Sequence, residues 1–224
     1  MMGVGLMSTY NNSNYLYEFD VRANYYKLEG INAIFRNLLN IKRKYNNKKI
    51  IDATFIIVNP KGDKHINKDY YQRVPVYTVE DIVNKNLSII YKDAKVKKDE
   101  LYIMKIMDDM KWDNVNVISL SDILSADNTE HKYKESLIKE IYKEYEYIHS
   151  IFSKHRKDAG LLIEKNIPTV CIWGSNCKSL SILAENYFIK NNINIVRMKN
   201  KKGRYYNLKH TYYKKIKSSL IESI

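Results

Sequence analysis

Ile167-Pro-Thr-Val-Cys-Ile-Trp-Gly-Ser-Asn-Cys-Lys-Ser179 is the stretch that decides how this chain folds. A short apolar run, Thr169 to Trp173, meets a Gly-Ser-Asn turn, and an apolar helical pattern from Leu180 to Lys190 follows. This is a buried strand feeding directly into a helix start. In α/β proteins such a junction borders the ligand crevice, because helix N-terminal N–H groups point out at the strand's carboxyl end. Gly174, Ser175, Asn176, Lys178 and Ser179 are therefore the candidate ligand-binding residues. Ser175, Asn176 and Ser179 offer donors and Lys178 offers charge, which suits a nucleotide or another anionic small molecule. The same residues also suit an ordinary β–α turn capped by Ser175, Asn176 or Ser179. With one glycine and no Gly-Lys-Ser/Thr, the turn is not a triphosphate-binding P-loop.

Outward from this junction the chain alternates. Residues 1–14 read as a loose leader. Tyr15 to Tyr26 places Tyr15, Tyr17, Phe19 and Val21 on one side, a strand signal. Ile31 to Tyr45 carries Ile31, Ile34, Phe35, Leu38, Leu39 and Ile41 at helical spacing and predicts a helix. Ile50 to Val58 is a near-continuous apolar run that fits a parallel strand buried on both faces. Val74 to Ile82 reads as a short extended piece, with Thr78 as the N-cap of a small helix. Strands follow at Leu87 to Tyr91 and Val115 to Leu120, with a helix from Glu100 to Met110 between them. Leu137, Ile141, Tyr145, Ile148 and Phe152 recur three and four apart, predicting one long helix from Tyr133 to Phe152. Gly160 and Pro168 bracket a second short helix. Ile193 to Met198 reads as a strand and Tyr212 to Ile221 as a final helix. Strand–helix alternation of this kind predicts a single α/β domain, a Rossmann-like and mostly parallel sheet flanked by helices.

The 38 Lys and Arg outnumber the 25 Asp and Glu, for a net charge of +13. That excess favours a polyanionic partner, although the lysines are spread through the chain as codon bias alone would spread them. Residues 197–224 form a basic, tyrosine-rich end. There Arg197, Lys201, Lys202, Arg204, Tyr205, Lys209 and Lys214 interleave cations with aromatics, which can neutralise phosphates and stack bases. Nucleic-acid binding through this strip is the alternative to the small-molecule reading. Tyrosines packed on the sheet with the lysines left wet would need no partner. Twenty tyrosines also admit a structural or self-assembling, oligomeric protein, since Tyr is favoured at interfaces.

Two cysteines make no disulfide framework, and no apolar run approaches the roughly 18 residues of a membrane span. A cytoplasmic protein is expected. The five histidines form no metal-binding spacing, so no metal site is expected. Cys177 falls near a helix start, where a thiolate is favoured, but the sequence shows no base beside it. His149 and His155 flank the end of the long helix and read as solvated or as partners of its dipole. Asp108, Asp109 and Asp113 read as solvated helix-end carboxylates. Neither catalytic residues nor a cofactor are assigned, and whether the protein is an enzyme stays open.

Within residues 51–124, a buried strand precedes Val74-Pro-Val-Tyr-Thr-Val-Glu-Asp-Ile82, then Leu87-Ser-Ile-Ile-Tyr91, a helix, and Asn114-Val-Asn-Val-Ile-Ser-Leu120. This layout resembles the small Rossmann-like domains of sugar-nucleotide enzymes in surface-glycan pathways. These include the N-terminal domain of PglD-type acyltransferases and the nucleotide-sugar epimerase/dehydratase group. The resemblance implies a role in nucleotide-sugar or glycan metabolism. Those domains open with a Gly-x-Gly-x-x-Gly loop after their first strand. Here the region before Ile51 has no such loop, so the dinucleotide fingerprint is missing.

Overall fold

The computed structural model describes residues 12–47, 49–62, 72–174, 177–200, 203, 205–206 and 213–223. Its strands are β1 (Phe19–Leu28), β2 (Phe35–Arg43), β3 (Ala53–Ile57), β4 (Val76–Tyr77), β5 (Tyr91–Asp93), β6 (Asn114–Ser119), β7 (Thr169–Cys171) and β8 (Ile195–Arg197). The helices are α1 (Asn12–Glu18), α2 (Val79–Asn84), α3 (Lys98–Met110), α4 (Asn128–Ile141), α5 (Ala159–Leu162), α6 (Lys178–Asn191) and α7 (Tyr213–Ser223). The fold is α/β, as the strand–helix alternation predicts. All eight strands join one mixed, mostly parallel sheet in the order β4-β1-β2-β6-β3-β7-β8, with β5 also on β1.

The parallel part is β6-β3-β7-β8. Every residue of β3 and β6 is buried, which explains the near-continuous apolar run of β3, while β6 buries Asn114, Asn116 and Ser119 among its apolar residues. On one face Phe55, Val115, Val117, Val170 and Val196 pack against Ile103, Met104 and Met107 of α3 and against Ile216 and Leu220 of α7. On the other, Ile56, Ile118 and Cys171 meet Ala159 and Leu162 of α5 and Leu180, Ala184 and Phe188 of α6. The β1–β2 hairpin extends the sheet antiparallel to β6. Thr78 caps α2 as its sequence indicates, in a reciprocal capping box with Asp81.

The helix expected over Ile31 to Tyr45 is instead strand β2. The cause is a bulge: Asn24 faces Leu38 and Tyr25 faces Arg36, which leaves Asn37 as an extra residue in β2. An extra residue turns the strand's period of two into a local step of three. Burial on both faces then makes the apolar spacing mimic a helix. The long helix expected from Tyr133 to Phe152 stops at Ile141. A 3₁₀ turn (Lys143–Tyr145) and a run of turns replace its second half. There Ile148 joins one core cluster while Ile151 and Phe152 join another, an arrangement no straight helix can reach. Tyr15 and Tyr17 lie in α1, so the first strand begins only at Phe19. The strand expected over Leu87 to Tyr91 is displaced: residues 87–90 are irregular, and the exposed edge strand β5 covers Tyr91–Asp93.

Candidate functional site

In the sheet β3 lies directly between β6 and β7, although β4, β5 and β6 separate β3 from β7 in the chain. After β3 the chain runs by way of β4 and β5, both on β1, to β6 on one side of β3, then returns past β3 to β7 on the other. The carboxyl ends of β3 and β7 thus face a topological switch point, where open α/β sheets hold their ligands. Three segments reach this edge: Val58–Gly62 after β3, Leu120–Ser125 after β6, and Ile172–Gly174 after β7. They are laced together, since Leu120 and Ser121 donate their N–H groups to Ile57 and Val58, and Ile172 donates to Ile56. Asn59 reaches Ser125 with its side-chain amide at 3.3 Å.

Ser121 and Asp122 anchor a buried polar network at this edge. The Asp122 carboxylate accepts from the Tyr26 hydroxyl at 2.9 Å and from the Arg156 guanidinium at 3.0 Å. Arg156 also grips Asp158 with two nitrogens and gives a third bond to the Ile148 carbonyl. Asn37, turned inward by the bulge, donates to Asp158 at 3.3 Å and accepts from Asn24 at 2.9 Å. The Arg156 and Asp122 side chains are fully buried. Two carboxylates facing one guanidinium leave an excess negative charge in the interior. Burial therefore pushes the Asp122 carboxyl up to about 7, despite the nearby Arg156. Burial alone would also raise Asp158, but the Arg156 guanidinium overrides it and holds that carboxyl below its ordinary value.

Beside this network the Ser121 hydroxyl lies 3.0 Å from His149 Nδ1 and 3.0 Å from His131 Nε2. His149 is buried, not solvated as its place in the sequence suggests. Burial, reinforced by His131, Lys139 and Arg156, pushes its imidazole down to about 3, so it is neutral at physiological pH. Burial lowers His131 as well, with Glu135 opposing and Lys134 assisting. The charge of Glu135, one turn along α4 from His131, also acts on Cys177, whose thiol is raised chiefly by burial. The first half of α4 therefore borders the carboxyl end of β6, where its His131 meets Ser121.

The predicted ligand residues fall at this edge as far as they are described. Gly174 takes φ +73°, a backbone conformation that favours glycine, and its N–H donates to the Tyr206 carbonyl. Lys178 and Ser179 open α6 and are exposed. Cys177 is the N-cap and gives no side-chain cap bond, and no acidic residue lies in the first turn of α6. Ser175 and Asn176 lie outside the described residues.

The chain matches no family model, no curated protein and no solved structure.

The basic strip is only partly in view, because Lys201, Lys202, Arg204 and Lys209 lie outside the described residues. Arg197 and Lys214 are exposed. Tyr205 is already engaged: its ring lies 4.2 Å from Trp173, centroid to centroid, and its hydroxyl donates to Glu185 at 2.7 Å. Lys199 sits over the same ring. Asp108 and Asp113, expected as solvated carboxylates, both pair with Arg43. Among the described residues no cluster of His, Cys, Asp and Glu could hold a metal ion, and no helix is long and apolar enough to cross a membrane.

Sequence reading missed Ser121, Asp122, His131, His149 and Arg156. They lie on four different segments and share no spacing, so only folding brings them together. One signal was available: Ser121 and Asp122 directly follow a buried parallel strand, the position where site residues concentrate in α/β sheets.

Proposed function

We propose that this protein binds a nucleotide or another anionic small molecule at the carboxyl edge of β6, β3 and β7. The observation that carries this reading is the switch point between β3 and β7, with Gly174 following β7 and Lys178 and Ser179 opening α6. Cys177 gives the first turn of α6 no side-chain cap, a helix N-terminus favours an anion, and Lys178 adds a positive charge beside it. A role in nucleotide-sugar or glycan metabolism rests on the resemblance of residues 51–124. The test is thermal stability against nucleotides, nucleotide sugars, dinucleotides and oligonucleotides at low and moderate salt. A ligand at 100 times its Kd stabilises the folded state by about 2.7 kcal/mol. The expected result is a small-molecule shift that survives added salt and disappears in Lys178→Ala/Ser179→Ala. Binding unchanged in that variant refutes the placement. A shift given only by oligonucleotides and erased by salt refutes the small-molecule reading.

A further inference from the structure

Ser121, His131 and His149 pose a proton-counting problem with one economical solution. A serine hydroxyl has two lone pairs and one hydrogen. The Ile123 N–H occupies one lone pair of Ser121 at 3.3 Å. The two imidazole nitrogens at 3.0 Å must share what is left, so one donates to the oxygen and the other accepts its hydrogen. The sealed nitrogen of the inner ring decides which. His149 Nε2 is buried and has no hydrogen-bond partner among the described residues. If His149 accepted the serine hydrogen at Nδ1, its own hydrogen would sit on Nε2 with nothing to receive it. An orphaned buried N–H is rarer and costlier than an orphaned acceptor. His149 therefore donates from Nδ1, Ser121 donates to His131 Nε2, and the hydrogen of His131 is left on Nδ1.

That outer nitrogen has no protein partner among the described residues, and it is not among the buried, unpartnered atoms. His131 sits in the first half of α4, with its Nε2 against Ser121 just past the carboxyl end of β6. We propose that His131 is a ligand-contacting residue, presenting a neutral Nδ1–H donor to an anionic oxygen, phosphate or carboxylate, at the carboxyl edge of the sheet. This rests on the small-molecule reading above for the presence of a ligand, but the orientation of the donor does not. Ser121 and His149 are positioning residues: they never touch the ligand and act by holding one tautomer of His131. A neutral donor suits a site that already has Lys178 for charge, because it adds direction without a second buried cation. The neighbouring Lys134 is occupied by the Leu124 carbonyl and Glu130, so it does not compete for the same ligand.

The test is long-range ¹H–¹⁵N spectroscopy of the histidine rings in the full chain at pH 7.5, with His131 assigned by its loss in His131→Gln. The expected spectrum shows a protonated Nδ1 and a bare Nε2 for His131. Ser121→Ala should abolish that preference. His149→Asn should keep it, because the Asn amide can still donate to Ser121. A merely structural role would leave the tautomer alike in both variants. Inorganic phosphate or ATP should then shift the His131 Nδ1 signal, and His131→Gln should weaken ATP binding about tenfold. A wild-type His131 protonated on Nε2 overturns the inference, whatever binds. The expected tautomer with an ATP complex that leaves His131 unmoved overturns its role in binding while sparing the small-molecule reading. No binding by ATP, phosphate or any anionic member of the ligand panel overturns both.

Discussion

Asp122 and His149 lie in one buried cluster yet respond to acid in opposite directions, and each can be silenced separately. In the folded protein Asp122 takes up its proton near pH 7, whereas an unfolded aspartate waits until about 3.8. Between those limits the folded state binds more protons, so acidification stabilises it. From pH 8 to pH 5 this gain is about 3 kcal/mol, at roughly 1.36 kcal/mol per pKa unit. His149 does the reverse. The unfolded imidazole takes up a proton below 6.5, while the folded one refuses it down to about 3. Acidification to pH 5 therefore costs about 2 kcal/mol through His149. The two nearly cancel in the wild type. His149→Asn should unmask the gain and become more stable relative to wild type as the pH falls, by about 2 kcal/mol. Asp122→Asn should unmask the loss and become less stable relative to wild type, by about 3 kcal/mol. Both variants keep a hydrogen-bonding group at the same place. Urea unfolding at pH 8, 6.5 and 5 supplies the differences directly. Stability differences that stay constant across that range in both variants would refute the buried, neutral assignment of these groups.

Two further substitutions probe the same edge. Arg156→Met leaves Asp158 and Asp122 in the interior without their shared cation, and should cost about 3–5 kcal/mol in urea unfolding at pH 8. Adding Asp158→Asn should restore part of it, and an Arg156→Met protein as stable as wild type would show that the ion pair is not buried. Asn37→Ala removes the residue that the bulge turns inward, leaving the Asn24 amide without its acceptor and Asp158 with one donor fewer. Its expected cost is about 1–3 kcal/mol, together with faster amide exchange at Ile90, whose N–H is held by Asn24. Unchanged exchange there would separate Ile90 from the network.

The amino-acid sequence by itself determined the α/β class and the parallel core. β3 carries the apolar run that a doubly covered strand needs, and the strand and the helix expected within Thr169–Lys190 appear where their residues indicate. Local rules sufficed there because each feature is written within about ten consecutive residues. Thr78 at the start of α2 was legible for the same reason. Tertiary structure decided the rest. β2 looked helical because a bulge and two-sided burial imitate a helical period, and pairing with β1 and β6 settled the matter. The second half of the long amphipathic pattern left the helix because Ile148, Ile151, Phe152 and Arg156 gain more by filling the sheet edge than by continuing a solvated helix. The Ser121–His131–His149 relay and the Asp122–Arg156–Asp158 network join residues far apart in the chain. Their chemistry comes from burial and from hydrogen bonds between distant segments, quantities that exist only once the chain has closed on itself.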